Sequence, residues 1–227
     1  TLALGQGVRA EVIAADDVPI AFGGAARHNV ANALSALAAA QALGLPIAAM
    51  TQGLSTFGRA QSNRGRAELI ELQGRVEGLG PLSASTLDGV RALVDYAHNP
   101  HGLAALFQLA AAIPAQRRLL VLGQAGDRDD EAIRDLARTA WRFHPDHFVV
   151  KEMVGMLRGR ELGEVPALLA RTLLELGAPA EAIEIADGEV DAVRKALLWA
   201  RPGDLLILLL HTERDAALAV LDPMRKP

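Results

Sequence analysis

The sequence predicts an α/β fold: a mostly parallel, doubly wound sheet with flanking helices. Three observations carry this. Apolar runs at Val90–Val94, Arg118–Gly123, His147–Val150 and Asp204–Leu210 read as buried strands. Helical stretches at roughly 100–112, 129–143, 163–176 and 188–200 alternate with them, as βαβ units require. Each strand-like run ends in polar residues: Asp95-Tyr96-Ala97-His98, then Gln124 to Glu131, then Lys151-Glu152, then His211-Thr212-Glu213. Right-handed crossovers bring all four clusters to one sheet edge, and the carboxyl edge of such sheets is where ligands bind.

In chain order, residues 8–22 read as short strands. Arg27 to Gly44 is an Ala/Leu-rich helix ended by Gly44 and followed by Pro46, and a second helix runs to about Leu54. One strand pair and two helices do not make a good domain, so this part reads as the tail of one, and a chain that opens on Thr1 reads as a piece of something longer. Phe57 to Gly65 is polar and glycine-containing, the composition of an interdomain linker. The expected domains are therefore residues 1–58 and 59–227. Ala67 to Leu72 starts the second sheet, and Gln73 to Asp88, rich in Gly, Ser and Leu, reads as a hairpin or loop extension. After Val94 the chain reaches Asn99, a helix cap, and Pro100, which suits a first helical turn because no amide hydrogen is needed there. No internal repeat is evident.

Composition narrows the function classes. The 227 residues are 51% hydrophobic and 4% aromatic, enough for one large or two modest cores built from Ala, Leu and Val. With 23 Lys plus Arg against 27 Asp plus Glu and no basic tract, nucleic acid is not an expected partner. No apolar run is long enough to span a bilayer and no signal peptide is evident, so no membrane partner is expected. The absence of cysteine excludes disulfides and thiol chemistry and fits a cytoplasmic protein. Six histidines show no metal-ligand spacing, and no metal site is expected in these residues. A homo-oligomer is left open.

Several polar residues have two readings. His28 and Asn32 lie one helical turn apart with Asn29 beside them; Asn32 among Ala31, Ala33 and Leu34 calls for a partner such as a purine edge, or is simply solvated. Asp95 is a ligand carboxylate or a turn carboxylate. His98 reads as a packed histidine orienting Asp95 ahead of a general base. Asp127-Arg128 and Lys151 are site charges or an ordinary helix-start acid with surface cations. Gly155, Gly159 and Gly163 around Arg158 and Arg160 suggest a mobile basic loop. Gly123-x-x-Gly126 lacks the third glycine of a dinucleotide-binding turn.

Taken in order, His28-Asn29-x-x-Asn32, Gly65-Arg66-x-Glu68, Asp95-Tyr96-Ala97-His98-Asn99-Pro100 and Gly126-Asp127-Arg128 resemble the Mur ligase superfamily. Val94 to His101, Gly126-Asp127-Arg128-x-Asp130-Glu131 and Lys151-Glu152 with Arg158-Gly159-Arg160-x-x-Gly163-Glu164 are most similar to its cyanophycin-synthetase branch. The resemblance implies a Rossmann-like C-terminal ligase domain preceded by the tail of a central ATP-binding domain. It implies ATP and magnesium as cofactors, and an amino acid plus a carboxylate-bearing peptide or polymer as partners. The implied reaction activates a carboxylate as an acyl phosphate and joins it to an amine, here arginine to aspartate side chains. By position, Asn32 would contact adenine, and Arg66, Asp95 and His98 would reach ATP. Asp127, Arg128 and Lys151 would lie near the amino acid and the acyl phosphate, with Arg158 and Arg160 toward substrate.

Departures from the family pattern matter as well. The phosphate loop Gly-x-x-x-x-Gly-Lys-Ser/Thr is absent from all 227 residues, as are the family's magnesium ligands, so this chain alone is not expected to hydrolyse ATP. Asn63-Arg64 stands where relatives have Pro before Gly-Arg, and residues 73–88 are longer than the pattern. Leu210-His211-Thr212-Glu213 lacks a glycine-lysine-glycine element, which counts against a diaminopimelate-type enzyme. Folylpolyglutamate- or peptidoglycan-type ligases, and a degenerate non-catalytic module for binding or oligomerisation, are the alternatives.

Overall fold

The computed structural model describes residues 1–4, 10–58, 64–75 and 86–227. The chain resolves into two compact units, residues 1–64 with 105–112, and residues 65–104 with 113–227.

In the first unit β1 (Leu2–Leu4) pairs antiparallel with β2 (Ala10–Ile13). The expected strands end there: residues 15–17 and 19–21 form 3-10 turns, since Pro19 has no amide hydrogen for a ladder and Asp16-Asp17 favour turns. Of that stretch, residues 8–9 lie outside the described residues, as do 59–63 of the expected linker and 76–85 of the expected hairpin. Helix α1 (Arg27–Ala42) closes on Gly44, which takes φ +74°, and the Leu45 amide donates back to Ala40 at 3.0 Å. Helix α2 (Ile47–Thr56) is tied to β2 by Thr51 Oγ1 donating to Val12 O at 2.9 Å. Leu2, Val12, Ile13, Val18, Ala33, Leu37 and Met50 form the unit's core.

The second unit is built on six strands: β3 (Glu68–Glu71), β4 (Arg91–Asp95), β5 (Arg118–Leu122), β6 (His147–Lys151), β7 (Ile183–Ala186) and β8 (Leu205–Leu209). Their order is β3-β4-β8-β5-β6-β7, with β3 antiparallel to β4 and every other pair parallel. Strands β5, β6 and β8 are buried almost throughout, as continuous Leu/Val/Ile runs require of strands covered on both faces. Between strands run α3 (Pro100–Ala112), α4 (Asp130–Arg142), α5 (Glu164–Glu175) and α6 (Glu189–Trp199), and α7 (Arg214–Leu221) follows β8. The crossovers from β5 to β6 to β7 step one way along the sheet and that from β7 to β8 steps back, so right-handed connections place α4 and α5 on one face and α6 on the other. Leu119, Val121, Leu206 and Leu208 accordingly meet Ala192, Val193, Ala196 and Leu218 of α6 and α7.

The local signals explain the element ends. Asn99 Oδ1 accepts from Gly102 N at 2.8 Å and Asp129 Oδ1 from Ala132 N at 2.8 Å, so each caps a helix start. At the amino edge of the sheet Trp199 is sandwiched between the Arg117 guanidinium, 3.9 Å from its ring, and the stacked His147 ring.

The two glycines after β5 are needed for space. A Cβ on Gly123 would lie 2.8 Å from the Lys151 side chain, and one on Gly126 would lie 2.0 Å from the Leu157 carbonyl oxygen. Backbone cannot give way as a flexible side chain does, so Gly126→Ala is expected to cost about 2–3 kcal/mol of stability by overpacking. Gly155→Ala, where the added atom meets nothing within 4 Å, should leave the urea unfolding midpoint in place.

Candidate functional site

Parallel pairing puts the carboxyl ends of β4, β8, β5 and β6 side by side, and two groups of polar side chains gather there. The first surrounds a cleft of about 540 Å³ lined by Arg66, Tyr96, His211, Thr212, Glu213, Arg214, Asp215 and Ala216, with Arg214 paired to Asp215 at 3.1 Å. The turn that presents Arg66 is held on both sides of it. Glu68 Oε2 accepts from Gly65 N at 2.6 Å, while Asp95 Oδ2 accepts from Ala67 N at 2.7 Å. Gly65, at φ +74°, also packs where a Cβ would strike Arg214. The exposed Arg66 guanidinium lies over the Tyr96 ring, 4.5 Å from its centroid.

Asp95 therefore acts here as a turn carboxylate, its second oxygen accepting from Ala97 N at 2.7 Å. His98 is exposed, with Nδ1 3.2 Å from Tyr96 O, and contacts Tyr96 and Asn99 rather than Asp95. The expectation that it orients Asp95 gives way to a side chain turned toward its own turn and solvent.

Below the cleft lies a fully buried ion pair. Lys151 crosses over Gly123 from the end of β6, bonding Glu189 at the start of α6 and His211 Nδ1 at 3.1 Å. Glu189 also accepts from the amides of His211 (2.6 Å), Thr212 (3.1 Å) and Glu213 (2.9 Å). Lysine only donates, so His211 accepts at Nδ1 and carries its proton on Nε2, which donates to Ala97 O at 3.1 Å. Burial draws the Lys151 amine below its ordinary value, with Glu189 opposing. Burial pushes Glu189 up, but the Lys151 charge and the His211 amide outweigh it and leave its carboxyl low. Sequence reasoning named Lys151 and missed Glu189 and the ring contact of Tyr96. An acid directly after Gly188 reads as an ordinary helix-start residue, and only the return from β7 through α6 to β8 carries it beneath Lys151.

The second group joins the ends of β5 and β6. Asp127 pairs with Arg158, both exposed. Arg160 has every arm occupied: Nε donates to Gly126 O (3.1 Å), Nη2 to Arg128 O (2.7 Å) and Asp130 (2.8 Å), and Nη1 to Glu164 (2.6 Å). Asp130 and Glu164 raise its pKa further. Glu152 accepts from Met153 N and Gly163 N, and Gly126 N donates to Met156 O at 2.8 Å. The glycine-containing loop expected to be mobile is thus bonded along its length, with Arg160 as its staple. Arg128 is exposed.

Asn32 belongs to the first unit, where it borders an apolar cavity of about 430 Å³ between α1 and α2. Asn32 is exposed, so water satisfies its amide and no buried partner is required. Asn29 is the buried amide, donating to Ile20 O at 2.8 Å, with Asn32 3.5 Å from it.

Residues 74–209 match the family model described as Mur ligase, glutamate ligase domain. The chain belongs to that family. The cyanophycin synthetase of Trichormus variabilis is 32% identical to this Mur ligase domain protein over 195 residues, 86% of this chain and 20% of that one. The UDP-N-acetylmuramyl-tripeptide synthetase of Roseiflexus sp. is 33% identical over 190 residues, 80% of this chain and 32% of that one. Among solved structures, the folylpolyglutamate synthase of Mycobacterium tuberculosis complexed with ADP and AMPPCP shares the fold, with TM-score 0.55 and 24% identity over 88% of this chain and 41% of that one. The chain spans about a fifth of the length of the cyanophycin synthetases it matches. No described helix is long and apolar enough to cross a membrane, and no described group of three His, Cys, Asp or Glu is placed to hold a metal ion.

The buried histidine sets a pH dependence for this Mur ligase domain. Burial, with the Lys151 charge beside it, pushes His211 down to about 4. Unfolded, it titrates near 6.5, so between the two values the unfolded chain binds more protons and stability is lost as pH falls. The loss should approach about 3 kcal/mol by pH 4 and should be missing from His211→Asn when the two are compared by urea unfolding at pH 7 and pH 4.5.

Proposed function

We propose that this chain is the C-terminal part of an ATP-dependent amide ligase of the cyanophycin-synthetase type. In this reading residues 1–58 are the tail of the central ATP-binding domain, residues 59–227 are the C-terminal ligase domain, and the whole enzyme works in the cytoplasm. The observation that carries it is the Arg66 guanidinium over Tyr96 in a strand-end cleft, in a chain 32% identical to a cyanophycin synthetase.

The residues present fit a nucleotide's phosphates. Arg66 and Arg214 bring two guanidinium groups to one cleft; Arg214 is paired with Asp215 at 3.1 Å and Glu213 accepts from Glu189 N, so Arg66 is the cation that carries the fit to phosphate oxygens. ATP supplies the phosphoryl group that turns a carboxylate into a leaving-group-bearing acyl phosphate. This chain's part is to bind and orient: Glu68 and Asp95 fix the turn, and Arg66 meets the phosphate charge. Asp127, Arg128 and Arg158 form the exposed charged rim at which an incoming amino acid is held, and Arg160 keeps that rim in shape. Lys151 acts from beneath the cleft. Asn32 serves the adenine edge, which its exposed amide leaves open to contact. Magnesium ligands are assigned outside this chain, and no step is routed through them. The acceptor is the side-chain carboxylate of an aspartate polymer, and the amine is arginine.

A second reading is favoured by the 33% identity to a peptidoglycan tripeptide synthetase. Phosphate release by the longest natural form of the protein separates the two. Stimulation by an aspartate–arginine polymer with arginine supports the first, and stimulation by a muramyl dipeptide with lysine or diaminopimelate supports the second. Silence with every pair favours a degenerate binding module.

A further inference from the structure

The geometry points to Glu189 and His211 as positioning residues for the Arg66 guanidinium, a role resting on the reading above that Arg66 meets an anionic ligand. The contacts form one unbroken chain. Glu189, fully buried, draws Lys151 and the amides of residues 211–213 onto its two oxygens, fixing the turn that leaves β8. His211 is pinned at both ring nitrogens, by Lys151 and by Ala97 O. Its ring meets Tyr96 edge-on, with centroids 5.0 Å apart at 71°. The Tyr96 ring in turn carries Arg66. With His211 locked, Tyr96 has one edge fixed, and the cation over it is held in one place before any ligand arrives.

A purely stabilising role explains the arrangement less well. A buried ion pair is often no better for stability than apolar residues of the same volume, whereas a network that fills every donor and acceptor fixes one geometry. The ion pair and His211 also sit under the cleft rather than in the centre of the sheet, where the strands are filled by Leu, Val and Ile.

The test separates holding the fold from holding the cation. In His211→Asn the new side chain can still accept from Lys151 but offers no ring edge to Tyr96. Side-chain NMR signals of Arg66 in the 227-residue chain, shifted upfield by the Tyr96 ring in the native protein, should move toward random-coil positions in this variant while urea unfolding at pH 7 still shows a cooperatively folded protein, its midpoint lowered by loss of the bond to Ala97 O. Affinity for inorganic triphosphate should fall about tenfold. His211→Phe, which keeps a ring beside Tyr96, should retain more of the Arg66 shift than His211→Asn. Native Arg66 signals in folded His211→Asn overturn the proposal. Should Glu189→Gln also fold, it is expected to blur the same signals. In the full-length enzyme a fall in kcat/KM for ATP, smaller than that of Arg66→Ala and absent when Arg66 is already alanine, is the matching result. An enzyme inactive with every substrate pair would count against the ligase reading alone, because the Arg66 signals report positioning without turnover.

Discussion

Replacing Glu189 by alanine is expected to destabilise the sheet-bearing unit by about 3–5 kcal/mol, the usual cost of stranding one member of a buried ion pair. Glu189 is fully buried and receives Lys151 Nζ together with three backbone amides. Its loss leaves a buried cation bonded to a histidine nitrogen, with the Glu213 charge farther off, and three amides without their acceptor. Coupling across the pair should be large: Lys151→Met combined with Glu189→Leu removes both charges and is expected to recover part of the loss, since a double change at contacting sites is not additive. The three amides stay unsatisfied, so recovery is incomplete. Urea unfolding at pH 7 of the native chain, Lys151→Met, Glu189→Leu, their combination and Glu189→Ala measures it, and a Glu189→Ala cost below about 1 kcal/mol would show that the pair does not tie the sheet edge together.

The second large effect is on turnover. Arg66→Ala in the full-length enzyme is expected to lower kcat/KM by about 10²–10³, the range found when a donor aimed at developing charge is removed. Arg66→Lys should recover little, because a lysine keeps the charge but loses the planar fork and the fit over the Tyr96 ring. Asp95→Asn is a milder probe of the same turn. One carboxamide oxygen can still accept from one of the two amides that Asp95 now serves, at Ala67 and Ala97, but not from both in the same way. Steady-state kinetics of the three variants gives an order of effect, Arg66→Ala above Arg66→Lys above Asp95→Asn, and equal rates across them would remove Arg66 from the chemistry.

Much of this architecture is legible in the sequence because its signals are local. Continuous Leu/Val/Ile runs mark β5, β6 and β8, and Asn99-Pro100 and Asp129 mark helix starts by capping alone. Strand β7 escapes because it is a four-residue edge strand whose Glu184 and Ile185 are exposed, so it shows no buried run. Helix α7 has only eight residues and a charged opening. Helix α1 is so rich in alanine that periodicity does not choose a face, which is why Asn32 was expected to need a partner and Asn29 turned out to be the buried amide.

The charged residues divide along a similar line. Asp95 and Lys151 could be placed at the sheet edge because each ends a readable strand, whereas Arg66 entered through the resemblance to the ligase family. Their partners could not, since Lys151 and Glu189 are 38 residues apart and Arg66 and Tyr96 meet only after β3 pairs with β4. Arg158 and Arg160 looked equivalent in a glycine-rich loop. Arg160 is a staple bonded to both sides of the turn, and Arg158 is an exposed partner of Asp127. That difference depends on which carbonyls the folded loop presents.

The most direct test is to follow amide-bond formation itself. The longest natural form of the protein would be incubated with ATP, magnesium, an aspartate-backbone acceptor and free arginine, and the acceptor mass read by mass spectrometry. The expected result is acceptor growth by one arginine residue per ATP consumed, slowed about 10²–10³-fold in Arg66→Ala. No growth with arginine, together with growth of a muramyl or folyl acceptor by its own amino acid, would contradict it.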